Sequence, residues 1–380
     1  FSFERIFTQK FDFYATIFEY LIKDYNSNSG GKYAEYFTPH AVARIMAEIL
    51  VPKDQRGTVR NVACYDPSAG SGTLLMNVAH AIGENRCSIY TQDISQKSSN
   101  LLRLNLILNN LVHSIPNVIQ GNTVLHPYHV ESTKDGKELK RFDYIVSNPP
   151  FKLDFSDFRD ELDSKENKER FFAGIPNVPK AAKDKMAIYS LFLQHIIASL
   201  KPGGKAAVVV PTGFITAQSG IDKKIREHLV KNKMLAGVVS MPSNIFATTG
   251  TNVSILFIDA SNDGDVVLVD ASNLGEKVKD GKNQKTVLTA DEEQKIIDVF
   301  NAKETIEDLS VAVSYDEIEA KNYSLSAGQY FDVKIEYVDI TPEQFAEKMQ
   351  GFTSNLDSLF GQSRDLETEI KKQLAGLKYE

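Results

Sequence analysis

A chain of 380 residues, 42% hydrophobic and 24% charged, has room for one large domain with appendages and the composition of an ordinary globular protein. No apolar run reaches the length of a membrane span, and the start lacks the basic-then-apolar pattern of a signal peptide. A formal net charge of −7 argues against a protein that grips many phosphates unaided, so any nucleic-acid contact needs a local basic patch or a partner.

Residues 1–28 read as helical, with Phe11, Tyr14, Phe18, Leu21 and Ile22 at helical spacing, and Ser27 to Gly31 break that helix. A chain that begins at Phe1 rather than Met reads as a fragment or processed product, so this stretch is expected to be the end of a longer helical region. Tyr36-Phe37-Thr38-Pro39-His40 then leads into Ala41 to Leu50, with Thr38 expected as N-cap and Pro39 at the first helical position. Strands are expected at 61–65, 88–92, 117–120, 142–147, 205–210, 235–240 and 252–258. Helices at 73–83, 96–110, 186–200 and 223–231 fall between most of them. Apolar strands separated by helices predict an α/β fold with a doubly wound, mostly parallel seven-stranded sheet.

Lys201-Pro202-Gly203-Gly204 is expected to stop a helix before the fifth strand. Beyond Ala260 the pattern weakens, with a possible short strand at 266–269 and a helix at 291–300. From Thr341 a new helix starts, with Gln344 completing a capping box. Phe345, Met349, Phe352, Leu356 and Leu359 form a coiled-coil-like stripe that must pack on its own domain or on another protein. Cys64 and Cys87 fall in predicted strands and suit reduced core thiols of the cytosol, and the histidines have no metal-ligand spacing. His195 reads as a packed histidine, Lys134 to Arg141 as a solvated hairpin tip, and Asp154 to Arg170 as a loop ordered by substrate.

Three stretches carry chemistry. Asp66-Pro67-Ser68-Ala69-Gly70-Ser71-Gly72-Thr73 follows the first strand and opens a helix, so its glycines and free N–H groups can meet a ligand closely. Asp93, at the end of the second strand, stands where an acidic residue binds ribose hydroxyls in dinucleotide folds. An anion would face Asp66, so a cationic ligand suits this turn better. Ser147-Asn148-Pro149-Pro150-Phe151 ends the fourth strand abruptly, since prolines cannot donate to a ladder. Alone, that stretch reads first as a rigid strand exit with an Asn turn and a core Phe.

In this order the three stretches resemble S-adenosylmethionine-dependent DNA adenine-N6 methyltransferases, and within them the modification subunit of type I restriction–modification systems. The resemblance runs from about Gly31 to Ala327, and Asn322 to Val333 with the helical tail also look like that subunit. It implies a Rossmann-like methyltransferase domain over 31–333, a helical N-terminal remnant over 1–30, and a tail over 334–380 that docks other subunits. Glu35, Tyr36, Phe37, Thr38, Pro39 and His40 would line the methionine end of S-adenosylmethionine. Asp66, Ser68, Ala69, Gly70 and Gly72 would form the turn beneath it, with Asp66 near the ammonium. Asp93 would take the ribose hydroxyls, and Asn122 would accept from the cofactor's adenine amino group.

Asn148, Pro149, Pro150 and Phe151 would be catalytic, acting on a flipped-out adenine in duplex DNA. Implied partners are double-stranded DNA, a specificity subunit bound by two copies of this chain, and a restriction subunit, all in the cytoplasm. No segment after the seventh strand looks large enough to read DNA sequence, which agrees with delegating that task to a specificity subunit. Two rivals are methylation of another planar nitrogen, in a protein glutamine or an RNA base, and a non-catalytic assembly subunit.

Overall fold

The computed structural model describes residues 38–134, 136–246, 252–280, 283–331 and 341–376, in two units that divide at Phe331. The helix expected over residues 1–28 and the break at Gly30–Gly31 lie outside the described residues.

In the first unit, α1 (His40–Leu50) forms because Val42, Ile45, Met46 and Ile49 recur at helical intervals and are all buried. There follow β1 (Val62–Asp66), α2 (Thr73–Ile82), β2 (Cys87–Asp93), α3 (Gln96–Leu108), β3 (Val118–Gln120) and β4 (Phe142–Ser147). An exposed hairpin, Val130–Thr133 against Gly136–Leu139, stands where the solvated tip was expected. The chain continues through α4 (Tyr189–Ala198), β5 (Leu200–Pro211), α5 (Gly220–Lys231), β6 (Leu235–Ser240) and β7 (Val253–Asp259). It closes with β8 (Val266–Asp270), α6 (Ala290–Ala302), β9 (Ser310–Val313) and α7 (Tyr315–Ala320).

These strands form one sheet in the order β9-β8-β6-β7-β5-β4-β1-β2-β3. Pairing is parallel except that β7 runs antiparallel to β5 and β6, and β9 antiparallel to β8. All seven expected strands are present, but the sheet has nine. The possible short strand at 266–269 is β8, whose Val266, Val267, Leu268 and Val269 are buried against β6, while the unexpected β9 is a four-residue edge too short to show a period. One face is covered by Val42 of α1, Leu75 of α2, Leu102 of α3 and Ile296 of α6. The other is covered by Leu193 of α4, Ile225 and Leu229 of α5 and Ile318 of α7. This is the doubly wound layering expected.

Two local expectations change. The Lys201–Gly204 turn sits inside β5, which starts at Leu200 and shifts register against β4 between Phe142 and Tyr144. Gly204 belongs there because a Cβ would lie 2.9 Å from the Phe142 carbonyl oxygen. The segment Asp154 to Arg170 is a packed cover rather than a loose loop: Phe155 and Leu162 are fully buried beside Val124, Phe171, Met186 and Leu191.

Strand order reverses between β1 and β4, because the chain runs outward from β1 to β3 and then returns to β4 on the other side. Such a switch point opens a crevice at the carboxyl ends of the strands. Tyr65 pairs with Ile145 and Asp66 with Thr91, so Asp66, Asp93 and Ser147-Asn148 emerge together there.

The second unit contains one long helix, α8 (Pro342–Gly376). Its capping box forms as expected: the Gln344 amide donates to Thr341 Oγ1 (3.3 Å), and the Thr341 amide donates to Gln344 Oε1 (3.0 Å). Phe345, Met349, Phe352, Leu356, Leu359, Leu366, Ile370 and Leu374 are all exposed along it. No described helix is long and apolar enough to cross a membrane.

Candidate active site

The glycine turn is shaped by its neighbours before any ligand enters. Asp66, 2% exposed, accepts from the Ser68 amide (2.9 Å), and Ser68 Oγ lies 2.7 Å from Ser147 Oγ, tying the ends of β1 and β4. The Gly70 amide donates to Asp93 Oδ2 (2.9 Å), while Asp93 Oδ1 accepts from the Ser95 amide (2.8 Å). Ala69 approaches β2 through its amide on the Gln92 carbonyl (3.4 Å). Gly72 caps α2 in the left-handed region (φ +85°), where a Cβ would fall 2.1 Å from Leu102 Cδ1. Gly70 is also left-handed (φ +51°), but apart from its chain neighbours no heavy atom of the described residues lies within 4 Å of where its Cβ would be. Among the described residues the space above Gly70 is therefore open to a ligand.

Burial, with a smaller push from Asp93, raises the Asp66 carboxyl to about 7, against the pull of the Ser68 amide. No cation faces Asp66 among the described residues. A ligand ammonium would satisfy it, and Asp93 keeps acceptor capacity for a diol. This donor set, acceptors beside an open turn, fits a cationic nucleoside such as S-adenosylmethionine.

Glu35, Tyr36 and Phe37 lie outside the described residues. Thr38 does not cap α1. Pro39 occupies the cap position with ψ 141°, the helix begins at His40, and no side chain caps it. Thr38 Oγ1 instead accepts from Asn148 Nδ2 (3.1 Å), which joins the stretch before α1 to the end of β4. That bond commits the amide's donor side and leaves Asn148 Oδ1 as an acceptor. Among the described residues no donor engages Asn148 Oδ1 or the Pro149 carbonyl. Phe151, half-buried, meets Tyr189 edge to face with centroids 6.2 Å apart, and Tyr189 Oη donates to Asp222 Oδ2 (2.6 Å).

Asn122 departs from expectation. Its Oδ1 already accepts from the Val124 (3.1 Å) and Leu125 (3.2 Å) amides, a local turn that takes both lone pairs. The acceptor expected to meet an adenine amino group is spent, and Nδ2, a donor, is the polar atom left. His195 is packed as expected, with Nε2 3.2 Å from Tyr65 Oη, and burial lowers it to about 3.

Sequence reasoning gave no site role to four residues that build the site. Ser147, within the fourth-strand stretch, and Gln92 stand beside chosen residues, and that adjacency was the available signal. Thr123 donates to the Pro67 carbonyl (2.7 Å) and so ties the Asn122 loop to the glycine turn. Arg170 gave no signal of its own, because it ends a charged run that reads as a loop ordered by substrate.

A sheet reversed between β1 and β4, with β7 antiparallel between β5 and β6, and an acidic glycine turn with an Asn-Pro-Pro-Phe edge define the class of S-adenosylmethionine-dependent methyltransferases. The family model for the N-6 DNA methylases matches residues 9–337, and the chain belongs to that family. It is 28% identical to the methylase subunit of the type I restriction enzyme MpnII of Mycoplasma pneumoniae, over 97% of this chain and 64% of that protein. Identity is also 28% to the HindI methylase subunit of Haemophilus influenzae, over 97% of this chain and 79% of that one. The solved methyltransferase subunit of a type I restriction-modification system from Streptococcus thermophilus matches with a TM-score of 0.66 at 25% identity, over 83% of this chain and 62% of that chain. The chain thus spans less than two thirds of the MpnII subunit and of the solved S. thermophilus chain.

Proposed function

We propose that the chain methylates N6 of a flipped-out adenine in duplex DNA, as the modification subunit of a cytoplasmic type I restriction–modification complex. The observation that carries this reading is the Asn148 amide, held by Thr38 at the sheet edge where Asp66 and Asp93 also emerge. Family membership and the type I methylase relatives support it. S-adenosylmethionine, when bound, supplies an electrophilic methyl on sulfur. Asp66 holds the ammonium and Asp93 the ribose hydroxyls, while Ser68, Ala69, Gly70 and Gly72 form the floor. Thr38, Pro39 and His40, with Glu35, Tyr36 and Phe37, line the methionine end. Asn122 contributes Nδ2, which suits a ring nitrogen of the adenine rather than its amino group.

Adenine N6 is a poor nucleophile because its lone pair is delocalised into the ring. Asn148 Oδ1 and the Pro149 carbonyl accept its two hydrogens, which favours a pyramidal nitrogen with its lone pair aimed at the methyl. Pro150 stiffens the exit that presents these acceptors. Phe151 stacks on the flipped base, backed by Tyr189. No general base is required, since N6 sheds its proton after gaining the methyl.

With a net charge of −7, the chain leaves sequence reading to a specificity subunit, which two copies of it flank, and a restriction subunit completes the complex. Residues 31–333 act as the methyltransferase domain, and the exposed stripe of the 334–380 tail docks the specificity subunit. The decisive test is methyl incorporation into hemimethylated and unmethylated DNA, with and without a specificity subunit, beside RNA and protein acceptors. N6-methyladenine only with the specificity subunit present is expected. Sequence-specific methylation by the chain alone would refute the partner reading. Methyl on RNA or protein alone would refute the substrate, and cofactor binding without turnover in any mixture would point to an assembly subunit.

A further inference from the structure

Arg170 is 5% exposed, although it lies in one of the most charged stretches of the chain. Its guanidinium has no carboxylate partner among the described residues. Nη2 donates to the Val124 carbonyl (2.6 Å), Nη1 lies 3.5 Å from the Thr123 carbonyl, and Nε is buried with no partner among the described residues. The guanidinium lies over the Phe171 ring, 4.3 Å from its centroid, but faces no anion among the described residues; burying a cation without a carboxylate is costly, and an apolar side chain would fill that volume more stably. Burial lowers its pKa only to about 10, so the charge persists at neutral pH.

What Arg170 holds is a loop at the crevice. β3 ends beside β2 with Gln120 opposite Asp93, and the Gly121 amide donates to the Asp93 carbonyl (2.8 Å), so residues 121–124 lie against the ribose-binding candidate. Thr123 Oγ1 pins the same loop to Pro67, within the glycine turn. The loop is gripped from one side by the turn and from the other by Arg170. Arg170 itself belongs to the cover that begins immediately after Phe151, and Gln194, fully buried, fastens that cover's Ala173 amide (2.7 Å) and Gly174 carbonyl (3.0 Å) to α4.

We infer that Arg170 is a positioning residue that presets the Asn122–Val124 loop for the cofactor's nucleoside and couples it to the cover behind the substrate motif. This rests on the methyltransferase reading above. Removal of the guanidinium frees two loop carbonyls to reorient, so cofactor affinity suffers before the chemistry does.

The test is calorimetric titration of S-adenosylmethionine into the full chain and into Arg170→Met, Arg170→Lys and Thr123→Val, each checked by thermal melting. Cofactor KM and kcat are measured in parallel with DNA and the specificity subunit. Affinity is expected to fall about tenfold in Arg170→Met, less in Arg170→Lys and severalfold in Thr123→Val. Cofactor KM should rise while kcat at saturation stays within about threefold. A purely structural arginine would lower the melting temperature and the active fraction with KM unchanged, and that result overturns the inference. So does affinity within about twofold of wild type in the folded variants. If Arg170→Met does not fold, Arg170→Lys and Thr123→Val decide. Wild-type chain that bound no S-adenosylmethionine would bring down the methyltransferase reading, and this inference with it.

Discussion

Asn148 Nδ2 donates to Thr38 Oγ1 at 3.1 Å across a separation of 110 positions, and Thr38 is only 7% exposed. The bond decides which way the Asn148 amide faces. With the donor side committed, the oxygen is presented to whatever enters the crevice. Thr38→Val keeps the shape and removes the acceptor, so a half-buried N–H loses its partner, at about 1 kcal/mol or somewhat more. Methyl transfer is expected to fall roughly 10- to 100-fold, with Thr38→Ser near wild type. Asn148→Ala should abolish transfer with cofactor binding nearly intact, as measured by calorimetry; loss of binding would refute that division of labour.

Asp66 links pH to both stability and ligand affinity. Its folded pKa of about 7 lies above the ordinary 3.8 because the carboxyl is buried. A raised folded pKa means that the ligand-free protein gains stability from this group while it is protonated. That contribution is complete below about pH 4 and is lost as pH rises through about 7. Melting of the cofactor-free chain should therefore show a decline between about pH 4 and pH 7, levelling off above, that Asp66→Asn lacks. A cationic ligand needs the ionised form, so cofactor affinity should weaken as pH falls below about 7, approaching roughly tenfold per unit. Identical pH profiles for wild type and Asp66→Asn would contradict this.

The two left-handed glycines of the turn should fail in different ways. In Gly72→Ala, the new methyl meets Leu102, itself 1% exposed, at a φ of +85°. Backbone strain and overpacking together predict a loss of roughly 2–5 kcal/mol, visible as a lower melting temperature. Gly70→Ala meets no heavy atom of the described residues within 4 Å beyond its chain neighbours, so only its φ of +51° is strained and about 1–2 kcal/mol is expected. Its methyl projects into the ligand's space, so cofactor affinity should drop far more than stability. Equal cofactor affinities for Gly70→Ala and wild type would place the ligand elsewhere.

The apolar stripe of α8 carries the docking prediction. Leu359 and Leu366 are 52% and 63% exposed, so charging them disturbs no described packing. Leu359→Asp with Leu366→Asp should leave cofactor affinity unchanged and abolish co-elution with the specificity subunit in size-exclusion chromatography. Persistence of the complex would assign docking to another surface.

Chain-local physics made a good part of this legible. Apolar runs and helical spacing gave the seven principal strands in chain order and the helices between them, because burial of a face imposes a period. The carboxylates that close β1 and β2 were readable as strand ends, and the Thr341 capping box as a helix start, since each depends on residues within one turn. Edge strand β9 was not readable, because four residues carry no period.

Sequence by itself determined which elements form and which polar groups close them, and with them the class of ligand that two carboxylates and a glycine turn can hold. Tertiary structure alone decided where each polar atom points. Thr38 looked like a cap and became the partner of Asn148, while Asn122 looked like a ligand acceptor and spent its oxygen on its own turn. Arg170 looked like the end of a substrate-ordered loop and lies buried against the Asn122 loop. A hydrogen bond between side chains far apart in sequence leaves no period and no local signature. It exists only once the sheet has brought β1, β2 and β4 to a common edge.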